Sequence, residues 1–113
     1  MGYLRISFNM ELLEKKEYLN ELFTLYQELF TDKQKEYFKM YYFDDYSLQE
    51  IAESCNVSRN AIHDLLKHVE TYLNQYESKL GLLKQKRKRL ELLEKFEKTK
   101  DMKYLDEIRK MDE

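Results

Sequence analysis

Apolar residues recur along this chain at three- and four-residue spacing with few interruptions. From Met10 to Phe30 the positions Leu12, Leu13, Tyr18, Leu19, Leu22, Phe23, Leu25, Tyr26, Leu29 and Phe30 follow the helical period and predict an amphipathic helix. Residues 1–9 show no clear period and read as an N-terminal extension, with Met10 a plausible native start. Thr31-Asp32-Lys33-Gln34 is a capping box, in which the threonine hydroxyl and the glutamine side chain satisfy two backbone amides reciprocally. It opens a second helix reaching about Phe43, with Tyr37, Phe38, Tyr41, Tyr42 and Phe43 forming an aromatic cluster. At helical spacing such a cluster reads as core, with base stacking as the alternative.

Asp44, Asp45 and Tyr46 make a short connection, and Ser47-Leu48-Gln49-Glu50 is a second capping box. A third helix then runs to about Ser54, Cys55-Asn56-Val57 forms a turn, and Ser58 caps a fourth helix. In that helix Ile62, Leu66, Val69, Leu73, Tyr76, Leu80 and Leu83 alternate steps of four and three, the period of a coiled-coil seam. Over residues 58–80 it would be roughly 35 Å long. The seam needs a covering face, either the first helix or a second copy of the chain. Gly81 ends or kinks this helix, Leu90, Leu92, Leu93 and Phe96 resume an apolar stripe, and a last short helix spans about Met102 to Met111. Two glycines, no proline and no strand-like alternation leave an all-α helical bundle. Its expected parts are a domain over residues 10–80 and a C-terminal helical extension over 81–113.

Residues 47–67 carry the organising motif. With Leu48 as its first position, Ile51 and Ala52 fall where the two helices of a helix-turn-helix meet, and a small residue is needed at Ala52. Asn56 takes the tight-turn position that wants positive φ, which asparagine tolerates better than most residues. Val57, Ile62 and Leu65 take the apolar positions that anchor the second helix. The same register turns Ser58, Arg59, Asn60, His63, Asp64 and Lys67 outward. In such motifs these residues meet base edges in the major groove: Arg59 suits guanine, Asn60 adenine and Asp64 a cytosine amino group. Gln49 and the amides near Ser47 suit a phosphate at a helix N-terminus. Only Arg59 and Lys67 are cationic along the outward face.

The blocks LFTDKQ (29–34), YYFDDYSLQEIAE (41–53) and VSRNAI (57–62) resemble the YlxM family of small bacterial proteins, over about residues 10–80. That family resembles region four of bacterial sigma factors, where a helix-turn-helix reads promoter DNA. The resemblance implies a DNA-binding regulator and, through gene neighbourhood, a part in the signal recognition particle pathway. The alternative it leaves open is an accessory factor binding the particle's protein or RNA.

Charge changes this picture in one respect. The chain of 113 residues has a net charge of −2, with 37% charged and 42% hydrophobic residues, too apolar for disorder. The positive field lies in the second half, above all in Lys84, Lys86, Arg87, Lys88 and Arg89. This run suits phosphate contacts, or equally a solvated face paired with Glu91, Glu94 and Glu97. Cys55, the one cysteine, reads as a small filler at the turn and excludes an internal disulfide or a CxxC site. His63 and His68, five apart, do not make a helical ligand pair, so no metal and no cofactor is expected. No glycine-rich phosphate loop or nucleophile–base pattern suggests an enzyme, so no catalytic residue is assigned. No apolar run approaches the roughly 18 residues of a membrane span, and a cytoplasmic protein is expected. A homodimer would present two recognition helices to a two-fold operator, and dimerisation is the expectation.

Overall fold

The computed structural model describes the backbone from residue 2 to residue 113 and side chains from Glu11 onward. Its helices are α1 (Gly2–Tyr26), α2 (Asp32–Tyr42), α3 (Leu48–Cys55), α4 (Arg59–Leu80), α5 (Leu82–Thr99) and α6 (Met102–Met111), with a 3₁₀ turn at Gln27–Leu29. The described residues include no strand, so the all-α reading holds. No described helix is long and apolar enough to cross a membrane. The expectation of a native start at Met10 after a separate extension concerns residues whose side chains lie outside those described.

The first helix differs from its expected Met10–Phe30 span. Its α-helical turns stop at Tyr26, and the 3₁₀ turn carries the chain to Phe30, whose N–H bonds the Gln27 carbonyl at 3.1 Å. Phe30 then takes extended backbone, with φ −112° and ψ 158°. Apolar periodicity continues through Phe30 because its ring is buried, but it reaches the core from a reversal rather than from a helix face. It stacks on Phe23 with centroids 6.3 Å apart. Thr31 caps α2 immediately afterwards: its Oγ1 accepts from the Gln34 N–H at 3.2 Å, and its own N–H donates to Gln34 Oε1 at 2.9 Å.

One core gathers residues from α1 to α5. Leu19, Leu22, Phe23 and Tyr26 of α1 meet Tyr37 and Phe38 of α2, Ile51 and Ala52 of α3, and Ile62, Leu66, Val69 and Leu73 of α4. Phe23 and Phe38 stack at 4.2 Å near its centre. Burying each such side chain contributes about 1.5–3 kcal/mol before the opposing entropy. Of the aromatic cluster, Tyr37 and Phe38 are core, Tyr41 and Tyr42 are half-buried and Phe43 is exposed. The seam of α4 packs internally from Ile62 to Leu73, against α1, α2 and α3. Leu80, at 51% exposure, falls off it, and Leu83 rejoins the core from α5.

The α4–α5 junction is held by side chains distant in sequence. Gly81, with φ 62°, ends α4 through its N–H to the Glu77 carbonyl at 2.8 Å and begins α5 without a side chain to cap it. Tyr26 and Glu77 supply the missing acceptors. The Tyr26 hydroxyl donates to Glu77 Oε1 at 2.7 Å and accepts the Leu82 N–H at 3.1 Å. Glu77 Oε1 accepts the Leu83 N–H at 3.0 Å, and Oε2 the Lys84 N–H at 3.1 Å. Three of the four orphan amides of α5 are thereby satisfied, with a carboxylate at the positive end of the helix dipole. Beyond this point α5 packs on α1 and α6. The α5–α6 hairpin buries Leu92 and half-buries Tyr104, Leu105, Ile108 and Met111.

Burial of Glu77 acts to raise its carboxyl pKa, but the bonds from Tyr26, Leu83 and Lys84, with Arg87 nearby, outweigh it and hold the group below its ordinary value. Its contribution is therefore present above the unfolded-state value of about 4.3 and lost as pH falls through the lower folded-state value. Thermal melts followed by circular dichroism are expected to show Tyr26→Phe destabilised by about 1–3 kcal/mol at neutral pH. The stability gap between wild type and Glu77→Gln should narrow on acidification below about pH 4. A gap independent of pH would remove the carboxylate from this role.

Candidate nucleic-acid interface

Helices α3 and α4 form the helix-turn-helix, and each feature of its register has a local cause. The Ser47 capping box closes, with the Glu50 N–H on Ser47 Oγ at 3.0 Å and the Ser47 N–H on Glu50 Oε1 at 3.2 Å. Asn56 adopts the left-handed conformation, φ 55° and ψ 47°. The Val57 N–H then returns to the Ala52 carbonyl at 3.1 Å, the six-to-one bond of a Schellman turn. Ser58 Oγ accepts the Ala61 N–H at 3.0 Å and starts α4. Ile51 and Ile62 are fully buried, and Ala52 is buried where the helices meet. Leu65 is half-buried, and Leu66 beside it reaches deeper.

Arg59, Asn60, His63, Asp64 and Lys67 are all exposed on α4, and the 60-63-64-67 spacing puts them on one face. Ser58 is exposed at its start. His63 Nδ1 lies 3.5 Å from Asp64 Oδ1 on the same face. Arg59 and Lys67 close no ion pair among the described residues. At the start of α3, the Gln49 side chain donates to Glu53 Oε1 at 3.0 Å. The capping box occupies the Ser47 and Glu50 amides, which leaves those of Leu48 and Gln49 as the orphan donors of that terminus.

The basic run stands apart, on α5 beyond Gly81. Arg87 turns toward α1: its guanidinium lies 3.3 Å from a Glu21 oxygen and 5.8 Å from the Tyr18 ring centroid. Arg89 pairs with Asp112 beyond α6, at 3.8 Å. Lys84, Lys86 and Lys88 remain exposed. Of the expected acidic partners on α5, Glu91 pairs instead with Lys95, at 3.1 Å.

Two cations that sequence reading passed over arrive beside α4 from α1. Lys15, Lys16, His63 and Lys67 line one cavity of about 170 Å³, closed on its inner side by Tyr41, Tyr42 and Leu66. Lys15 Nζ is 2.9 Å from Glu70 Oε1, and Lys16 Nζ sits 5.2 Å from the Tyr41 ring centroid. Burial, with Glu70 nearby, pushes the Tyr42 phenol up to about 12, so this wall stays neutral. In sequence, Glu14-Lys15-Lys16-Glu17 reads as an ordinary solvated helix turn. Nothing local marks it, because the meeting is made by the packing of α1 along α4.

Comparison with known proteins agrees with this geometry. A family model described as "Putative helix-turn-helix protein, YlxM / p13 like" matches residues 13–113. The chain is 52% identical over 83 residues to UPF0122 protein YlxM of Bacillus subtilis (strain 168), covering 74% of this chain and 76% of that protein. It is 50% identical over 97 residues to UPF0122 protein lwe1821 of Listeria welshimeri, covering 85% and 88%. It is 48% identical over 84 residues to UPF0122 protein GK1195 of Geobacillus kaustophilus, covering 74% and 76%.

The turn itself is open to test. Asn56→Ala is expected to cost about 1–2 kcal/mol, since alanine lacks asparagine's tolerance for the left-handed region. Asn56→Gly should be neutral or mildly stabilising in the same denaturant titration. Equal losses in both variants would show that the asparagine side chain, and not its backbone conformation, matters.

Proposed function

The chain belongs to the family of helix-turn-helix proteins like YlxM and p13, and on that premise we propose that it is a cytoplasmic DNA-binding regulatory protein. The observation that carries this reading is the closed α3–turn–α4 unit, which leaves Arg59, Asn60, His63, Asp64 and Lys67 together in solvent on one helix face. In this reading α4 enters the major groove by its N-terminal turns, Arg59 and Asn60 contact base edges, and Ser58 and Gln49 lie against the backbone. Residues 10–80 act as the recognition unit and 81–113 as an extension. On the extension, the exposed Lys84, Lys86 and Lys88 add phosphate contacts, while Arg87 and Arg89 mainly fasten α5 to its neighbours.

The same reading includes a homodimer. Because the α4 seam is covered by α1, the dimer surface is assigned to α5, where Leu82, Leu90 and Leu93 are exposed. A two-fold pair of α4 helices would then face two half-sites.

Fluorescence anisotropy with random duplex DNA at low salt is expected to give binding that weakens as salt rises. Arg59→Ala and Asn60→Ala should each cost about 1–3 kcal/mol on a selected site. Absence of binding even at about 50 mM salt would overturn the function. Sedimentation should find a dimer in the wild type and a monomer in a Leu90→Lys, Leu93→Lys variant; a wild-type monomer would dismiss the dimer alone.

A further inference from the structure

We propose that Lys16 and Lys67, with Lys15 and His63 beside them, form a seat for one backbone phosphate of the nucleic acid that α4 contacts. The inference rests on the DNA-binding reading above and assigns a part of it to α1. The cavity has three properties that favour an oxyanion. It gathers three ammonium groups and an imidazole from two helices around about 170 Å³. Its apolar and aromatic walls, from Leu12, Leu48, Leu66 and the neutral Tyr42, lower the local dielectric and strengthen each charge. The Tyr41 ring under Lys16 holds that ammonium at the rim without neutralising it.

The one acidic group on the wall is Glu70, and Lys15 sits against it at 2.9 Å. That pairing cancels locally and, among the described residues, leaves Lys16 and Lys67 as the uncompensated charges. Size argues for a phosphate presented from outside. The cavity is smaller than the roughly 300–1,000 Å³ typical of sites that engulf a small molecule, yet it accepts a phosphate group. Position argues the same way, because His63 and Lys67 belong both to this wall and to the outward face of α4. A strand whose bases meet Arg59 and Asn60 therefore has a cationic recess beside its backbone. Phosphate contacts of this kind fix register without reading sequence.

The test uses the full chain and random duplex DNA, with log K measured against log salt for the wild type, Lys16→Ala, Lys67→Ala, Glu70→Gln and Arg59→Ala. Lys16→Ala and Lys67→Ala should each weaken binding several-fold and flatten the salt slope by about one. Glu70→Gln should do the reverse, since it removes the opposing charge and frees Lys15. The seat is overturned, with DNA binding intact, if Arg59→Ala weakens binding while Lys16→Ala, Lys67→Ala and Glu70→Gln leave the slope unchanged. No binding by the wild type overturns both readings together. Pyrophosphate is the soluble-phosphate arm. If it saturates the Lys16 and Lys67 resonances without displacing DNA, the recess serves a free phosphate ligand and the backbone assignment fails.

Discussion

The hydroxyl of Tyr26 and the carboxylate of Glu77 make one junction on which the placement of three helices depends. Tyr26 is the last residue of α1, Glu77 lies in the last turn of α4, and their bonds end on the first three amides of α5. Gly81 makes this necessary. Its left-handed backbone lets the chain turn sharply with nothing in the way, but a glycine has no side chain with which to cap the helix it begins. An uncapped helix start against a packed core would strand donors there, at about 1–3 kcal/mol for each donor left unsatisfied. The tyrosine is well suited to the position, since its ring fills the core while its hydroxyl reaches the rim.

That junction also determines where the outward face of α4 stands. It fixes one end of α1 to the far end of α4, and the Lys15–Glu70 pair ties the two helices again nearer the start of α4. Between these points Leu19, Leu22 and Phe23 pack into the same core as Val69 and Leu73. So α1 runs as a splint along α4, and a long helix that would bend freely in isolation is held along its inner face. The N-terminal turns of α4 are set separately, by the Asn56 turn and by Ala52 against Ile62. Orientation of Arg59 and Asn60 thus comes from local turn geometry, whereas the cations around them depend on the splint.

This division explains how much was legible in the sequence. The two capping boxes, the left-handed Asn56, the Ser58 cap and the buried Ile51, Ala52 and Ile62 were readable because each depends on residues within a few positions of one another. The family resemblance was readable for the same reason, since its blocks lie in those stretches. Phe30 misled because apolar spacing reports burial and not backbone conformation, and a buried aromatic after a 3₁₀ turn keeps the helical period. The Tyr26–Glu77 junction and the Lys15–Lys16 approach to α4 were invisible, because their partners lie about fifty residues apart. In the run 84–89, charge was readable but its use was not. Only the packing of α5 shows Arg87 and Arg89 committed to Glu21 and Asp112.

Charge tallies along the chain have the same weakness. Counted by halves, the chain is acidic before Ser58 and basic after it, a tally that gives the outward face of α4 two cations, Arg59 and Lys67, and the first half a net excess of acid. A phosphate, however, senses charge over a Debye length of about 8–10 Å at physiological salt. Within such a distance the relevant sum is the set of groups that packing brings to one surface, not a segment of sequence. Folding moves Lys15 and Lys16 out of the acidic half to the side of His63 and Lys67, and holds Glu70 against one of them. It also withdraws Arg87 from the strongest basic run by turning it toward Glu21. A net charge of −2 is therefore compatible with a locally positive margin along α4, and the two statements describe different lengths. The two cations on the outward face of α4 understate the positive charge there, because the helix packed beside it adds Lys15 and Lys16 to the same surface.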